Sequence, residues 1–65
     1  MQPEVIKILQ DHRIPFDAGG DGSQVLLHHG QANPDVLRSL GFRISGYIGQ
    51  QMVVSFKGRR VGVLL

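Results

Sequence analysis

The second half of the chain constrains the fold most, because it consists of three apolar segments separated by short turns. The segments are FRISGYI, MVVSF and RVGVLL, and apolar residues recur along them with the period of two that half-buried strands show. GQQ separates the first two segments, and Lys57 and Gly58 form the turn between the last two. Residues 42–65 are therefore predicted to be three successive strands, the last two of them a hairpin.

The same alternation predicts which side chains of these strands face the core. In the first strand Phe42 and Ile44 share one face, and Gly46 is a candidate position for a β-bulge. The inward residues of the second strand are predicted to be Met52, Val54 and Phe56. Those of the last strand are predicted to be Val61, Val63 and Leu65. A Val→Ala change in this last set is expected to cost about 1–3 kcal/mol.

The first half of the chain predicts a helix followed by a hairpin. Pro3 suits a first helical position, and apolar residues at spacings of three and four predict an amphipathic helix over residues 3–12. Pro15 disfavours helix for the residue before it and cannot donate to a sheet ladder. Residues 14–29 therefore read as a hairpin that starts with an edge strand and turns at the glycine-rich residues 19–22.

The segment QANPDVLRSLG predicts a second, two-turn helix. Asn33 is the candidate N-cap, Pro34 the first helical residue and Gly41 the stop signal. The element order is then α-β-β-α-β-β-β in a single domain spanning residues 1–65. The predicted fold class is α+β, with a small, mostly antiparallel sheet of four to five strands and both short helices on one face.

The sequence contains no motif for a catalytic or a metal-dependent function. The chain has no cysteine, which excludes disulfides and thiolate ligands, and no cofactor is expected. His28 and His29 are neighbours on a strand and point to opposite faces, so we expect one half-buried and one exposed histidine rather than a metal site. AGGDGS precedes a strand and lacks the lysine of a phosphate-binding loop. We expect a protein that is not an enzyme.

The charges are distributed unevenly along the chain. Residues 1–35 hold all five acidic residues against two basic ones, a net charge of −3. Residues 36–65 hold five basic residues and no acid, a net charge of +5, and the chain totals +2. Such asymmetry between halves points to an acidic partner, which can be a protein or a nucleic acid.

The candidate partner-binding residues follow from this asymmetry. They are the basic residues around the last hairpin and the tyrosine of the basic half: Arg43, Tyr47, Lys57, Arg59 and Arg60. Arginine suits bidentate recognition of carboxylates and phosphates. An equally simple interpretation is a solvated hairpin tip whose charges protect an edge strand. The alternative binding set, suited to a basic nucleic-acid-binding groove, is acidic: Asp17, Asp21 and Asp35.

Two resemblances bear on function. EVIKILQDHRIPF, GSQVLL and PDVLRSLGF together resemble the ring-building modules of secretion and flagellar basal bodies, but the resemblance ends after Phe42, where three strands are predicted instead of the expected proline. We interpret it as a shared generic pattern. In size, charge pattern and lack of catalytic motifs the chain resembles small phage-encoded inhibitors of the anti-CRISPR type. That resemblance implies a protein that occupies a surface of a larger nucleic-acid-processing complex.

The alternatives are a small nucleic-acid-binding domain that uses the basic hairpin on phosphates and a self-assembling module that pairs strand edges. MQPEVIKILQ lacks the long apolar run of a signal peptide, and no apolar stretch is long enough to span a membrane. The expected setting is therefore the cytoplasm, that of the host cell if a phage encodes the protein. We expect a protein partner and no membrane, and binding to nucleic acid is an alternative. The chain is expected to be a monomer or a weak homodimer.

Overall fold

A computed structural model describes residues 2–20 and 22–65, in which a five-stranded sheet carries two helices on one face. The elements in chain order are α1 Pro3–Asp11, β1 Asp17–Gly19, β2 Gln24–Leu27, α2 Pro34–Ser39, β3 Phe42–Ile48, β4 Gln51–Phe56 and β5 Arg59–Leu64. The order α-β-β-α-β-β-β and the mostly antiparallel sheet confirm the predicted fold class.

The sheet has the strand order β1-β2-β5-β4-β3, so the last strand of the chain lies at its centre. β5 pairs antiparallel with β4, as the predicted hairpin requires, and parallel with β2. β1 pairs with β2 and β3 pairs with β4, both antiparallel. The edges of the sheet are therefore the short β1 on one side and the longer β3 on the other.

The core lies between the helices and one face of the sheet. Val5 and Leu9 of α1 and Leu37 of α2 are fully buried in it. The rings of Phe42 and Phe56 pack at a tilt of 47° and a centroid distance of 5.0 Å, which lies within the range of favourable aromatic pairs. The sheet also contributes Val25, Leu27, Val54, Val61 and Leu64, and the connecting segments contribute Ile14 and Ala32.

The predicted signals at the ends of α2 are confirmed. The Asn33 side chain accepts a hydrogen bond of 2.9 Å from the backbone N–H of Val36, which satisfies one of the free donors of the first turn. Gly41 follows the helix with a φ of +100°. The two-residue turn of the last hairpin is also confirmed, because Lys57 and Gly58 both have positive φ and Phe56 pairs with Arg59.

The end of α1 depends on Arg13 as well as on Pro15. The backbone N–H of Arg13 donates to Gln10 O at 3.1 Å, and that of Ile14 donates to Leu9 O at 2.9 Å. This pair of bonds is a Schellman motif, and it requires Arg13 to adopt a φ of +55°. Ile14 is thereby placed in the core beside Leu9.

Arg13→Gly is expected to stabilise the protein by about 1 kcal/mol, because glycine adopts positive φ without the steric cost that a Cβ imposes. Arg13→Ala keeps the Cβ and is the matched control, so its stability should equal that of the wild type. Urea denaturation of the three proteins measures the difference in free energy of unfolding. A glycine variant no more stable than the alanine variant would contradict the left-handed conformation of Arg13.

The predicted facing of the last strand is wrong. Val61, Val63 and Leu65 do not share a face: Val61 lies in the helix-side core, whereas the neighbours of Val63 place it on the opposite side of the sheet. Leu65 is 43% exposed. Leu64, its neighbour, is instead 1% exposed and belongs to the core.

The physical reason is a β-bulge in β5. Val54 pairs with Gly62, but the next residue of β4, Ser55, pairs with Arg60. Val61 is therefore the extra residue of the bulge, and the alternation of side chains shifts there by one position. A second shift, between Ile44 and Gly46, confirms the bulge predicted in β3.

Two smaller expectations also need correction. The first strand begins at Asp17 rather than at Ile14, and Ile14 and Phe16 pack against the core from the segment before it. His28 and His29 are both exposed, because β2 ends at Leu27 and the chain leaves the sheet there.

Candidate functional site

The side of the sheet that α1 and α2 leave uncovered is the candidate site, and we call it the open face. Residues directly opposite each other on neighbouring strands point to the same side of a sheet. Arg43 of β3 pairs with Ser55 of β4, and Ser55 pairs with Arg60 of β5. These residues form one row across the open face, the arginine row, with a serine between two arginines.

An apolar row lies beside the arginine row. Gly46 pairs with Val53, Val53 with Val63, and Val63 with Leu26. Val63 is only 4% exposed, although it lies outside the helix-side core. Ile48 and Leu65, 51% and 43% exposed, border a groove at the far end of the sheet. The open face thus offers apolar contact area next to a basic row.

The bulge of β5 determines what the arginine row contains. With regular pairing in β5, Val61 would lie opposite Ser55, and Arg60 would lie opposite Phe56 on the helix side. The bulge instead sends Val61 into the core and Arg60 to the open face. Bulges are common beside functional sites because they change the direction of a side chain.

Hydroxyl groups lie within the same region. The bulge residue of β3, Ser45, has its Oγ 2.7 Å from the Oγ of Ser55 and also donates to Val53 O at 3.5 Å. Ser45 is thereby held against the centre of the arginine row. The row with its adjoining serine therefore combines two guanidinium groups with a hydroxyl pair.

The ion pairs of the structure leave a local excess of positive charge at this site. Every described aspartate and glutamate has a partner: Glu4 has Lys57, Asp11 has Lys7 and Asp35 has Arg38 as ion pairs, and Asp17 has a contact of 3.0 Å with the His28 ring. Within residues 2–20 and 22–65, Arg43 and Arg60 have no carboxylate or hydrogen-bond partner. Their charge is therefore available to a ligand.

The structure separates the other predicted basic residues from this row. Lys57 Nζ lies 2.9 Å from Glu4 Oε1 and 5.5 Å from the centroid of the Phe56 ring, so it ties the hairpin tip to α1. Arg59 pairs with Phe56, which places it on the helix side. Tyr47 pairs with Met52 on that same side and is 69% exposed. Of the predicted basic set, Arg43 and Arg60 share the open face.

Of the alternative acidic set, the two described residues, Asp17 and Asp35, do not lie together. Asp17 lies on the edge strand β1, 3.0 Å from the Nε2 of His28. Asp35 lies in the first turn of α2, 3.2 Å from Arg38, and α2 packs beside the opposite edge strand. Asp21 lies outside the described residues. The carboxylates of Asp17 and Asp35 therefore belong to separate parts of the surface.

Ser45 and Ser55 and the apolar row were not singled out from the sequence. The outward facing of Val53 and Ser55 was readable from the alternation in MVVSF. The position of Ser45 and Arg60 beside Ser55 could not be predicted from the sequence, because it depends on the register shifts between strands. The part of the chain that the structure describes contains no group of three histidine, aspartate or glutamate residues placed to hold a metal ion.

Comparisons of the chain with protein-family models, with curated proteins and with solved structures find no match. In the described segments, neither α1 nor α2 has the length and apolar character needed to cross a membrane.

Proposed function

We propose that the protein is a non-catalytic protein-binding module that binds an acidic surface of a partner through its open face. The observation that carries the proposal is the arginine row, whose Arg43 and Arg60 lie beside the apolar row on the side of the sheet that the described helices leave uncovered. Interfaces combine apolar contact area with arginines that form directed, charge-assisted hydrogen bonds.

The composition of the open face favours a protein over a nucleic acid. Single-stranded nucleic acids are bound by basic grooves in which aromatic side chains stack on the bases. Among the described residues the aromatic side chains lie elsewhere: Phe42 and Phe56 are in the core, Phe16 packs against it, and Tyr47 is on the helix side. The partly exposed Leu26 and Val53 of the apolar row, with Ile48 and Leu65 at the end of the sheet, suit protein contacts better.

Occupation of a surface is the proposed mode of action. A module without catalytic machinery affects a partner by covering the surface that the partner needs for other contacts, as the small inhibitors that this chain resembles do. A rigid scaffold with a charged and apolar patch is sufficient for that role. We propose a subunit of a larger nucleic-acid-processing complex as the partner.

The alternative of self-assembly through strand edges is less well supported. β1 offers only three residues, and β3 carries both a bulge and Arg43. Short strands, bulges and charges are the devices by which natural sheets avoid pairing edge to edge. A mass in solution that increases with protein concentration would favour self-assembly instead.

Charge reversal of the arginine row tests the proposal. The wild type, Arg43→Glu/Arg60→Glu and the control Arg13→Glu/Arg59→Glu are used to capture partners from a nuclease-treated lysate of the source cells. We expect wild type and control to retain the same partner and the row variant to bind it about a hundredfold more weakly, because two charged hydrogen bonds of about 1.5 kcal/mol each are lost. Equal retention by both variants, with native circular dichroism, would refute the use of the open face.

A nucleic-acid titration tests the competing function. Fluorescence anisotropy with single- and double-stranded DNA and RNA at low salt should show no saturable binding. Phosphate-dominated binding would instead weaken linearly in log[salt] and disappear in Arg43→Glu/Arg60→Glu. That result would replace the proposed function with nucleic-acid binding.

A further inference from the structure

We infer that Arg43, Arg60, Ser45 and Ser55 form a site for one phosphomonoester group carried by the partner protein. This inference rests on the proposed function and names the chemical group that the open face recognises. It concerns a phosphorylated side chain, which supplies the negative charge that the arginine row needs.

The geometry of the row suits a single ligand group between the arginines. Arg43 and Arg60 are each paired with Ser55, so their Cα atoms are separated by two strand spacings, about 10 Å. Each arginine side chain is long enough to cross one strand spacing. Arg43 borders a cleft at the β3 edge, and Arg60 borders a groove with Leu26 and Val63. Ser55 borders neither the cleft nor the groove, so binding requires both guanidinium groups to turn inward, toward the space above Ser55.

The charge of the site favours a phosphomonoester over a carboxylate. One guanidinium fork already satisfies both oxygens of a carboxylate. A phosphomonoester carries a charge of about −1.5 to −2 and three acceptor oxygens, which match two forks and an additional hydroxyl donor. The bond from Ser45 to Val53 O is long, at 3.5 Å, and when Ser45 gives its single hydroxyl hydrogen to the Oγ of Ser55 instead, the hydrogen of Ser55 is available for the third oxygen.

The bulges of β3 and β5 both lie beside Ser55. The bulge of β3 places Ser45 against Ser55, and the bulge of β5 places Arg60 opposite Ser55. Both departures from regular pairing thus flank one residue of β4 and increase the number of hydrogen-bond donors around it. The described acidic residue of the open face, Asp17, lies in the neighbouring row on β1 and is bonded to His28.

A peptide titration followed by amide chemical shifts tests the inference. The probes are a short peptide containing phosphoserine, the same peptide with glutamate in its place, and inorganic phosphate. We expect the phosphoserine peptide to shift the amides of Arg43, Ser55 and Arg60 and to bind at least about tenfold more tightly than either other probe. Equal affinity for the glutamate peptide, or tighter binding of inorganic phosphate, would overturn the inference.

Neighbouring residues of β5 supply a matched pair of variants. Arg60→Gln should weaken phosphoserine-peptide binding by at least about tenfold, because it removes one of the two forks. Arg59→Gln removes the same charge from the adjacent residue on the helix side and should leave the affinity unchanged. Equal losses in both variants would indicate a general charge effect and would overturn the site.

Phosphatase treatment of the captured partner distinguishes failure of this inference from failure of the proposed function. Phosphatase treatment of the partner should abolish its binding to the wild-type protein. If the treated partner still binds and Arg43→Glu/Arg60→Glu does not, the inference fails and the proposed function stands. If the charge-reversed variant binds as well as wild type, both fail.

Discussion

Gly62→Ala is expected to destabilise the protein by about 3 kcal/mol, because the added methyl group has no space at the centre of the sheet. A Cβ at this position would overlap the backbone carbonyl oxygen of Val25 and lie 2.6 Å from its Cγ2 atom. Val25 belongs to β2, which pairs directly with Gly62 in β5. The clash involves backbone, so a change of rotamer cannot relieve it, and β2 must move away from β5.

Gly46→Ala is the control for this prediction. Gly46 also lies within a strand, but in the described part of the chain a Cβ added there has no atom within 4 Å apart from those of Gly46 and its two chain neighbours. Its substitution should change the free energy of unfolding by less than about 0.5 kcal/mol. Urea denaturation of both variants measures the contrast. Similar stabilities would contradict the close parallel approach of β2 and β5.

Local chemistry explains which parts of the fold could be predicted from the sequence. The cap at Asn33, the stop at Gly41 and the turn at Lys57-Gly58 depend on residues close together in the chain, and the structure has all three. The bulge near Gly46 was predicted for the same reason, since glycine within a strand pattern is itself a local signal.

The parallel pairing of β2 with β5 and the bulge at Val61 could not be predicted in this way. Both depend on how segments far apart in the sequence fit against each other. RVGVLL alternates regularly with Val61, Val63 and Leu65 inward, and its residue types do not reveal the extra residue in the ladder. The position of the strand in the sequence was therefore predicted correctly, but the set of its side chains that face the core was not.

The same distinction applies to the candidate site. The uneven charge of the chain drew attention to Arg43 and Arg60 before their positions were known. It could not separate them from Lys57, because the pair of Lys57 with Glu4 joins opposite ends of the sequence and exists only after folding. Charge composition identifies residues that can bind an anion, whereas strand register decides which of them act together.

Leu64→Ala is expected to cost about 3 kcal/mol, and Leu65→Ala less than about 0.5 kcal/mol. Leu64 is 1% exposed and packs in the helix-side core, so its truncation removes buried surface and leaves a cavity. Leu65 is 43% exposed, so alanine there loses little. The residues are adjacent and chemically identical, and the difference therefore measures the facing of β5 alone.

The backbone of Leu65 is unaffected by this test. Its N–H donates to Leu27 O at 2.7 Å and its carbonyl oxygen accepts from the N–H of His29 at 3.0 Å, and alanine keeps both bonds. Urea denaturation of the two variants gives the order of their stabilities. A larger loss for Leu65→Ala would mean that Leu65 rather than Leu64 faces the core, as regular alternation in RVGVLL predicts. The bulge at Val61 would then be absent from β5.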